Sequence, residues 1–149
     1  MKKIVMLLAM TIFAIGADLK PKDFDQYLKD FNTQEIGNMK INSADMLEMV
    51  KNRFAILLDI RFAQEVEAWS IPFAKNIPLH ELPNRLNELP RDKLIITACP
   101  HNDRANMARI YLTMKGYNVK YLNDGLLKTV DSLKGDSAIK FIKELKENK

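Results

Sequence analysis

A single cysteine, Cys99, stands in the 149 residues, and one thiol excludes any disulfide within the chain. A lone thiol carried into an oxidising compartment is a liability, so such a residue is either buried or used. Only two histidines accompany it, and two histidines with one cysteine do not make a metal-ligand set. The sequence has no internal repeat, no low-complexity stretch and no linker long enough to divide it. It also lacks a clustered basic face: 23 basic residues against 19 acidic ones are scattered along the chain, which argues against nucleic acid as a partner. The longest apolar run, Ile4 to Ile15, is interrupted only by Thr11 and is shorter than the roughly 20 residues that span a bilayer, so no stable membrane insertion is expected.

That run has a different meaning from its flanks. Met1, Lys2 and Lys3 precede it, the small residues Ala14, Gly16 and Ala17 close it, and the chain turns polar at Asp18. A basic end, a short apolar segment and a small-residue cleavage point are the layout of a secretory signal. An amphipathic first helix would show one polar face, and this stretch has none. The expectation is therefore a signal peptide over residues 1–17, cleaved near Ala17, and a periplasmic or secreted product. Removing 17 of 149 residues leaves 132, the size of one domain. Lys2 and Lys3 leave with the signal, which takes the basic count from 23 to 21 against 19 acids, a net charge of +2.

The remaining pattern alternates strands with helices. Residues 18–34 read as a polar lead-in helix with Phe24, Tyr27, Leu28 and Phe31 at helical spacing, and Glu35 to Ile41 as a first strand. Asn42 or Ser43 caps a helix running through Val50, with Asp45 in its first turn. Phe54–Ile60 and Lys93–Cys99 are apolar without alternation, as expected of strands in the middle of a parallel sheet covered on both faces. Between them lie helical patterns near Ala63–Trp69 and Leu82–Leu89 and an extended piece over Ala74–Pro78. A helix follows Cys99 as far as Lys115, with Gly116 as its stop. Asn118–Leu122 is a further strand and Ser137–Glu147 a closing amphipathic helix. The whole predicts one α/β domain with a mainly parallel central sheet of about five strands.

Cys99 falls at the C-terminal end of a central strand, and a helix begins a few residues later. Ligands bind at that edge of open α/β sheets. A tight loop there aims several backbone N–H groups at one centre, and such a nest stabilises an anion. The same field lowers a cysteine pKa from about 8.5 into the range of roughly 3.5–7.5. A second reading stays open, that of a small buried hydrophobe ending a strand.

The order of motifs narrows this. Asp59-Ile60-Arg61, then Glu65, then Ser70-Ile71-Pro72-Phe73-Ala74-Lys75-Asn76-Ile77-Pro78-Leu79 resembles the Asp-x-Arg strand end and His-Ile-Pro-Gly-Ala-x-Asn-Ile-Pro segment of the rhodanese (sulfurtransferase-like) family. Cys99-Pro100-His101-Asn102-Asp103-Arg104 is similar to that family's six-residue active loop, Cys-x-x-Gly-x-Arg in many members. Gly116-Tyr117-Asn118-Val119 and Leu122-Asn123-Asp124-Gly125 resemble its late signature. The ordered set covers about residues 41–130, and the resemblance implies a lead-in over residues 18–40 followed by a rhodanese-like domain over residues 41–149. The resemblance implies functional kinship with periplasmic single-domain rhodaneses of the phage-shock type. Phosphatases of related fold carry Cys-x5-Arg, a wider loop. Here position 105 is Ala and the arginine comes one residue earlier, which suits a sulfane sulfur better than a phosphoryl group.

The departures from the pattern fall in and around the loop. Ser70 stands in place of His, Phe73 in place of Gly, Asn102 in place of the loop Gly, and Asp124 in place of the first late Gly. Asn tolerates positive φ better than other non-glycine residues, so Asn102 is expected to keep the bend. Pro100 has no N–H and removes a donor beside the sulfur. Asp103 brings a negative charge, opposed by Arg104, or else caps the following helix. Arg104 reads as the group that holds an anionic donor, or as one that solvates the helix start. His101 either donates to substrate or adds local positive charge. Asp59 and Arg61 read as a supporting ion pair or capping pair. Trp69, His80 and the eight methionines read as packing or surface residues.

By resemblance, the activity implied is sulfur transfer: Cys99 takes a sulfane sulfur from thiosulfate or a persulfide, and a thiophilic acceptor such as cyanide or a thiol removes it. No cofactor and no metal are called for. The alternative is a catalytically weak module of the same fold that binds or senses sulfur species or docks a partner protein, with the lead-in as the partner surface.

Overall fold

The computed structural model describes residues 20–148. The signal-peptide reading of residues 1–17 lies outside them. Five strands, β1 (Lys40–Ile41), β2 (Ala55–Asp59), β3 (Lys75–Asn76), β4 (Leu94–Ala98) and β5 (Val119–Leu122), form one all-parallel sheet in the order β1-β5-β4-β2-β3. The two unalternating runs are the central pair, β2 and β4, and β4 is buried at every position. Their side chains alternate between two cores, as the pleat requires. Leu58 and Ile95 pack with Ala105, Ala108 and Leu112 on one face, while Leu57 and Ile96 pack with Met46, Leu122 and Leu126 on the other.

Helices cover both faces. They are α1 (Phe24–Lys29), α2 (Thr33–Asn38), α3 (Ser43–Lys51), α4 (Ala63–Ala68), α5 (Asp103–Met114), α6 (Gly125–Ser132) and α7 (Asp136–Glu147). Asn42 caps α3 by accepting from the Asp45 N–H at 2.9 Å. Gly116, at φ 78°, stops α5. Among the described residues no helix is long and apolar enough to cross a membrane.

Four expectations change. The strand read over residues 35–41 is mostly helix α2, because Asn32 caps it by accepting from the N–H groups of Gln34 and Glu35; only Lys40 and Ile41 pair in the sheet. The lead-in is therefore two short helices, not one, and of its four spaced apolar residues only Tyr27 is buried. The helix expected at residues 82–89 is two 3₁₀ turns, Leu82–Asn84 and Leu86–Glu88. Pro83 sits in the first turn without an N–H to give, and so short a stretch does not repay α-helix nucleation. Helix α6 has no counterpart in the sequence pattern, and Gly125 is its first residue.

The lead-in is tied to α5 by a buried cation. Arg109, 2 % exposed, donates to the Tyr27 hydroxyl and to the Glu35 carboxylate, with its guanidinium 5.2 Å from the Tyr27 ring centroid. The Lys22 N–H adds a backbone bond to the carbonyl of Met114 at 3.1 Å.

After β2 the chain steps to one side for β3, then to the other for β4 and β5. The winding direction therefore reverses at the β2–β4 pair, and a crevice opens beyond the C-terminal ends of those strands. Asp59 ends β2 there, and Cys99 follows the end of β4.

Candidate functional site

Cys99 is fully buried at that crevice, and the loop of residues 100–102 turns over it into α5. The loop is held from behind by α6. The first N–H groups of a helix have no partner within it, and here the Leu126 N–H donates to the Cys99 carbonyl at 2.9 Å and the Leu127 N–H to the Pro100 carbonyl at 3.4 Å. A trans peptide points its N–H opposite to its carbonyl. With the Pro100 carbonyl turned to α6, the His101 N–H turns the other way, onto the Cys99 sulfur, and the Ala105 N–H joins it from α5. In the preceding peptide the carbonyl of Cys99 is likewise turned to α6, but the nitrogen is that of Pro100 and has no proton to offer.

Gly125 makes that approach of loop to helix feasible. Its φ is +76°, and a Cβ there would lie 2.3 Å from the Pro100 carbonyl oxygen, 2.5 Å from that of His101 and 2.8 Å from the His101 Cα. The loop rests on the bare backbone of this residue. In the sequence Gly125 stands out only as part of a motif. Its requirement comes from residues about 25 positions away, and no local pattern carries that.

Asn102 does not take positive φ, as its replacement of glycine led one to expect. Its φ is −151°, and it anchors the loop by donating from Nδ2 to the Asn123 carbonyl at 3.0 Å. Asp124, in the other glycine position, accepts from the Ser43 N–H at 3.0 Å and the Ser43 hydroxyl at 2.9 Å, joining the start of α6 to the start of α3. Polar side chains have thus replaced two glycines with ties between segments.

The charges of the loop are arranged differently from the sequence expectation. Arg104 is not free: it makes a two-pronged contact with Glu65 at 2.7 and 2.9 Å, which fastens the start of α5 to α4. Arg104 in turn holds the Glu65 carboxyl at about 2. Glu65 also accepts from the Phe62 N–H at 3.0 Å and so closes the N-terminus of α4. Asp103 lies against the sulfur, with the Cys99 thiol donating to its Oδ1 at 3.5 Å. The Arg104 N–H, joined by the thiol and by the Asp103 N–H, keeps the Asp103 carboxyl below its usual value. His101 and Asn102 are exposed, and Pro100 is half-buried.

Asp59 and Arg61 form the supporting pair. Both are buried, with Arg61 Nη2 2.7 Å from Asp59 Oδ2 and its guanidinium 3.7 Å over the Trp69 ring. Asn76 Nδ2 donates to the carbonyls of Asp59 and Arg61 at 2.9 and 3.0 Å, which fixes the turn after β2. Neither side chain is hydrogen-bonded to the Cys99 loop; they shape the wall beside it.

The thiol pKa moves against the sequence expectation. Burial pushes it up, the neighbouring Asp103 carboxylate pushes the same way, and the amides of Ala105 and His101 pull it down without prevailing. Desolvation of a thiolate outweighs two amide donors when a third is replaced by proline. The rate of Cys99 alkylation by iodoacetamide, followed against pH, is therefore expected to reach half its maximum above the ordinary thiol range. A midpoint below about 7.5 would mean that the amides dominate.

Comparison with known proteins agrees with this geometry. The family description "Rhodanese-like domain" matches residues 42–131. A sulfurtransferase of Allochromatium vinosum is 34% identical over 73 residues, which span 48% of this chain and 68% of that protein. Thiosulfate sulfurtransferase GlpE of Pseudomonas syringae pv. syringae is 26% identical over 81 residues, 54% of this chain and 76% of that one. Among solved structures, a rhodanese-related protein from Thermoplasma volcanium superimposes with a TM-score of 0.57 at 30% identity, covering 62% of this chain and 91% of that chain.

Proposed function

This chain belongs to the rhodanese-like domain family, and from that membership we propose that it moves a sulfane sulfur from thiosulfate or a persulfide to a thiophilic acceptor by way of a Cys99 persulfide. The observation that carries the proposal is the position of Cys99 after β4, with the His101 and Ala105 amides both directed at its sulfur. In the first half-reaction the Cys99 sulfur bonds to the outer sulfur of the donor and the donor's S–S bond breaks, its electron pair leaving with the rest of the donor. In the second, cyanide or a thiol takes that outer sulfur and frees Cys99. The amides stabilise the negative sulfur at both stages, and Asp59, Arg61 and Asn76 hold the crevice wall.

The test is loading. Purified protein incubated with thiosulfate, or with glutathione persulfide, is expected to gain the mass of one sulfur atom and to lose it on addition of cyanide. Absence of any adduct with either donor would favour the second reading, a module that binds sulfur species or docks a partner. The full burial of Cys99 speaks for that reading, as do the exposed Phe24, Leu28 and Phe31 of the lead-in.

We propose export as well, on the charge and apolarity of residues 1–17. Protein recovered from its native host is expected to begin near Asp18 and to fractionate outside the cytoplasm. Cytoplasmic protein that still carries Met1 would contradict this.

A further inference from the structure

The cradle around Cys99 already holds an anion of its own. Asp103 is an exposed residue in the first turn of α5, where a helix N-terminus would otherwise receive an incoming anion, and its carboxylate lies against the sulfur. Its Oδ1 also receives the Cys99 thiol at 3.5 Å. The one cation in the loop is engaged as well, since both terminal nitrogens of Arg104 are bound to the two oxygens of Glu65. Pro100 removes a further donor. A sulfonate group carried to this sulfur meets a carboxylate where it needs an amide, and a guanidinium already neutralised by its partner.

We propose that Asp103 and the Glu65–Arg104 pair select the sulfur donor by charge, disfavouring dianions such as thiosulfate and favouring persulfides, which react in the protonated form R–S–SH with an uncharged transferable end. The proposal rests on the sulfur-transfer reading above and specifies its donor class. With a persulfide the step balances without an external anion site: Cys99–SH and R–S–SH give Cys99–S–SH and R–SH. The bond between the two donor sulfurs breaks, its electron pair stays on the R–S sulfur, and that sulfur takes the proton released by Cys99. With thiosulfate, the Cys99 thiolate takes the outer sulfur and becomes the persulfide anion while sulfite departs with the pair, so the donor's two negative charges are added to that of the sulfur beside Asp103. Like charges a few ångströms apart repel most strongly where water is excluded.

The discriminating measurement is a ratio. Initial rates of Cys99 loading are followed by intact mass with thiosulfate and with glutathione persulfide as donors, for the wild type, Asp103→Asn and Glu65→Gln. The ratio of the second-order loading rate constant for thiosulfate to that for persulfide is expected to rise at least tenfold in Asp103→Asn. It is expected to rise severalfold in Glu65→Gln, which frees Arg104. A lower thiol pKa in Asp103→Asn would accelerate both donors together and leave the ratio where it was, so the ratio separates donor selection from simple activation of the sulfur. A flat ratio in both variants, with loading intact, would overturn the charge-selection proposal and leave the sulfur-transfer reading standing. No loading by either donor in any of the three proteins would overturn both. Glu65→Gln alters a contact away from the sulfur, so it still decides the matter if Asp103→Asn does not fold.

Discussion

Alanine at position 125 is expected to cost this protein about 3 kcal/mol or more of stability and at least a hundredfold in sulfur transfer. Two effects combine. A residue with a Cβ held at φ +76° carries backbone strain of about 1–2 kcal/mol. The added methyl would also stand 2.3 Å from the Pro100 carbonyl oxygen and 2.5 Å from that of His101, and backbone cannot swing aside as a flexible side-chain end can. Overpacking of this kind costs about 1–3 kcal/mol. Relief requires the loop to lift from α6, which breaks the bonds from the Leu126 and Leu127 N–H groups and turns the His101 N–H away from the sulfur. A displacement of about 1 Å in such a site lowers rates by about a hundredfold. Gly37→Ala is the matched control. A Cβ at Gly37, inside α2, meets nothing within 4 Å, so that change is expected to be neutral or to stabilise by about 0.5–1 kcal/mol. Urea unfolding midpoints and loading rates of the two variants give the comparison. Equal midpoints would mean that the loop does not depend on the bare backbone of Gly125.

Cys99→Ser is expected to abolish both formation of the sulfur adduct and turnover with every donor, while leaving the fold intact. Serine is nearly isosteric with cysteine. Its hydroxyl keeps a donor toward Asp103 and an acceptor for the His101 and Ala105 amides, so the loop retains its contacts. What is lost is chemistry: an alkoxide is scarcely populated near neutral pH, and oxygen does not carry the transferred sulfur. No other thiol in the sequence can substitute, because Cys99 is the only one. Residual transfer in the serine variant would place the chemistry elsewhere and remove the central residue of the proposal. Loss of adduct without any change in the unfolding midpoint would tie the activity to this one atom.

The unalternating apolar runs Phe54–Ile60 and Lys93–Cys99 were legible as the central strands because burial on both faces leaves no polar phase to read. The helix caps at Asn42 and the stop at Gly116 were equally legible, since each depends on a residue and its immediate neighbours. The errors came where a neighbour was distant or a local signal was ambiguous. Glu35 to Ile41 has the apolar content of a strand, but the cap from Asn32 and the contact of Glu35 with Arg109 hold most of it as helix. Leu82–Leu89 has helical spacing, but proline in its first turn confines it to 3₁₀ geometry.

The same division runs through the site. Composition and order of residues alone determined that there is one thiol, that it follows a central strand, and that a proline, an asparagine and an aspartate crowd it. These are properties of single positions and of short-range pattern. Only the tertiary structure decided what those residues do. Sequence pattern leaves Arg104 to hold a donor or to solvate the helix start, whereas in the fold it is committed to Glu65, 39 positions earlier in the chain. Asn102 was read as a stand-in for a glycine bend, but it is a tether to Asn123. Position alone allows a thiol acidified by its loop or a buried residue ending a strand, and burial decides by raising the thiol pKa. Charge pairing, steric contact and desolvation are set by what lies across space from a residue, and the sheet brings together segments that sequence distance keeps apart.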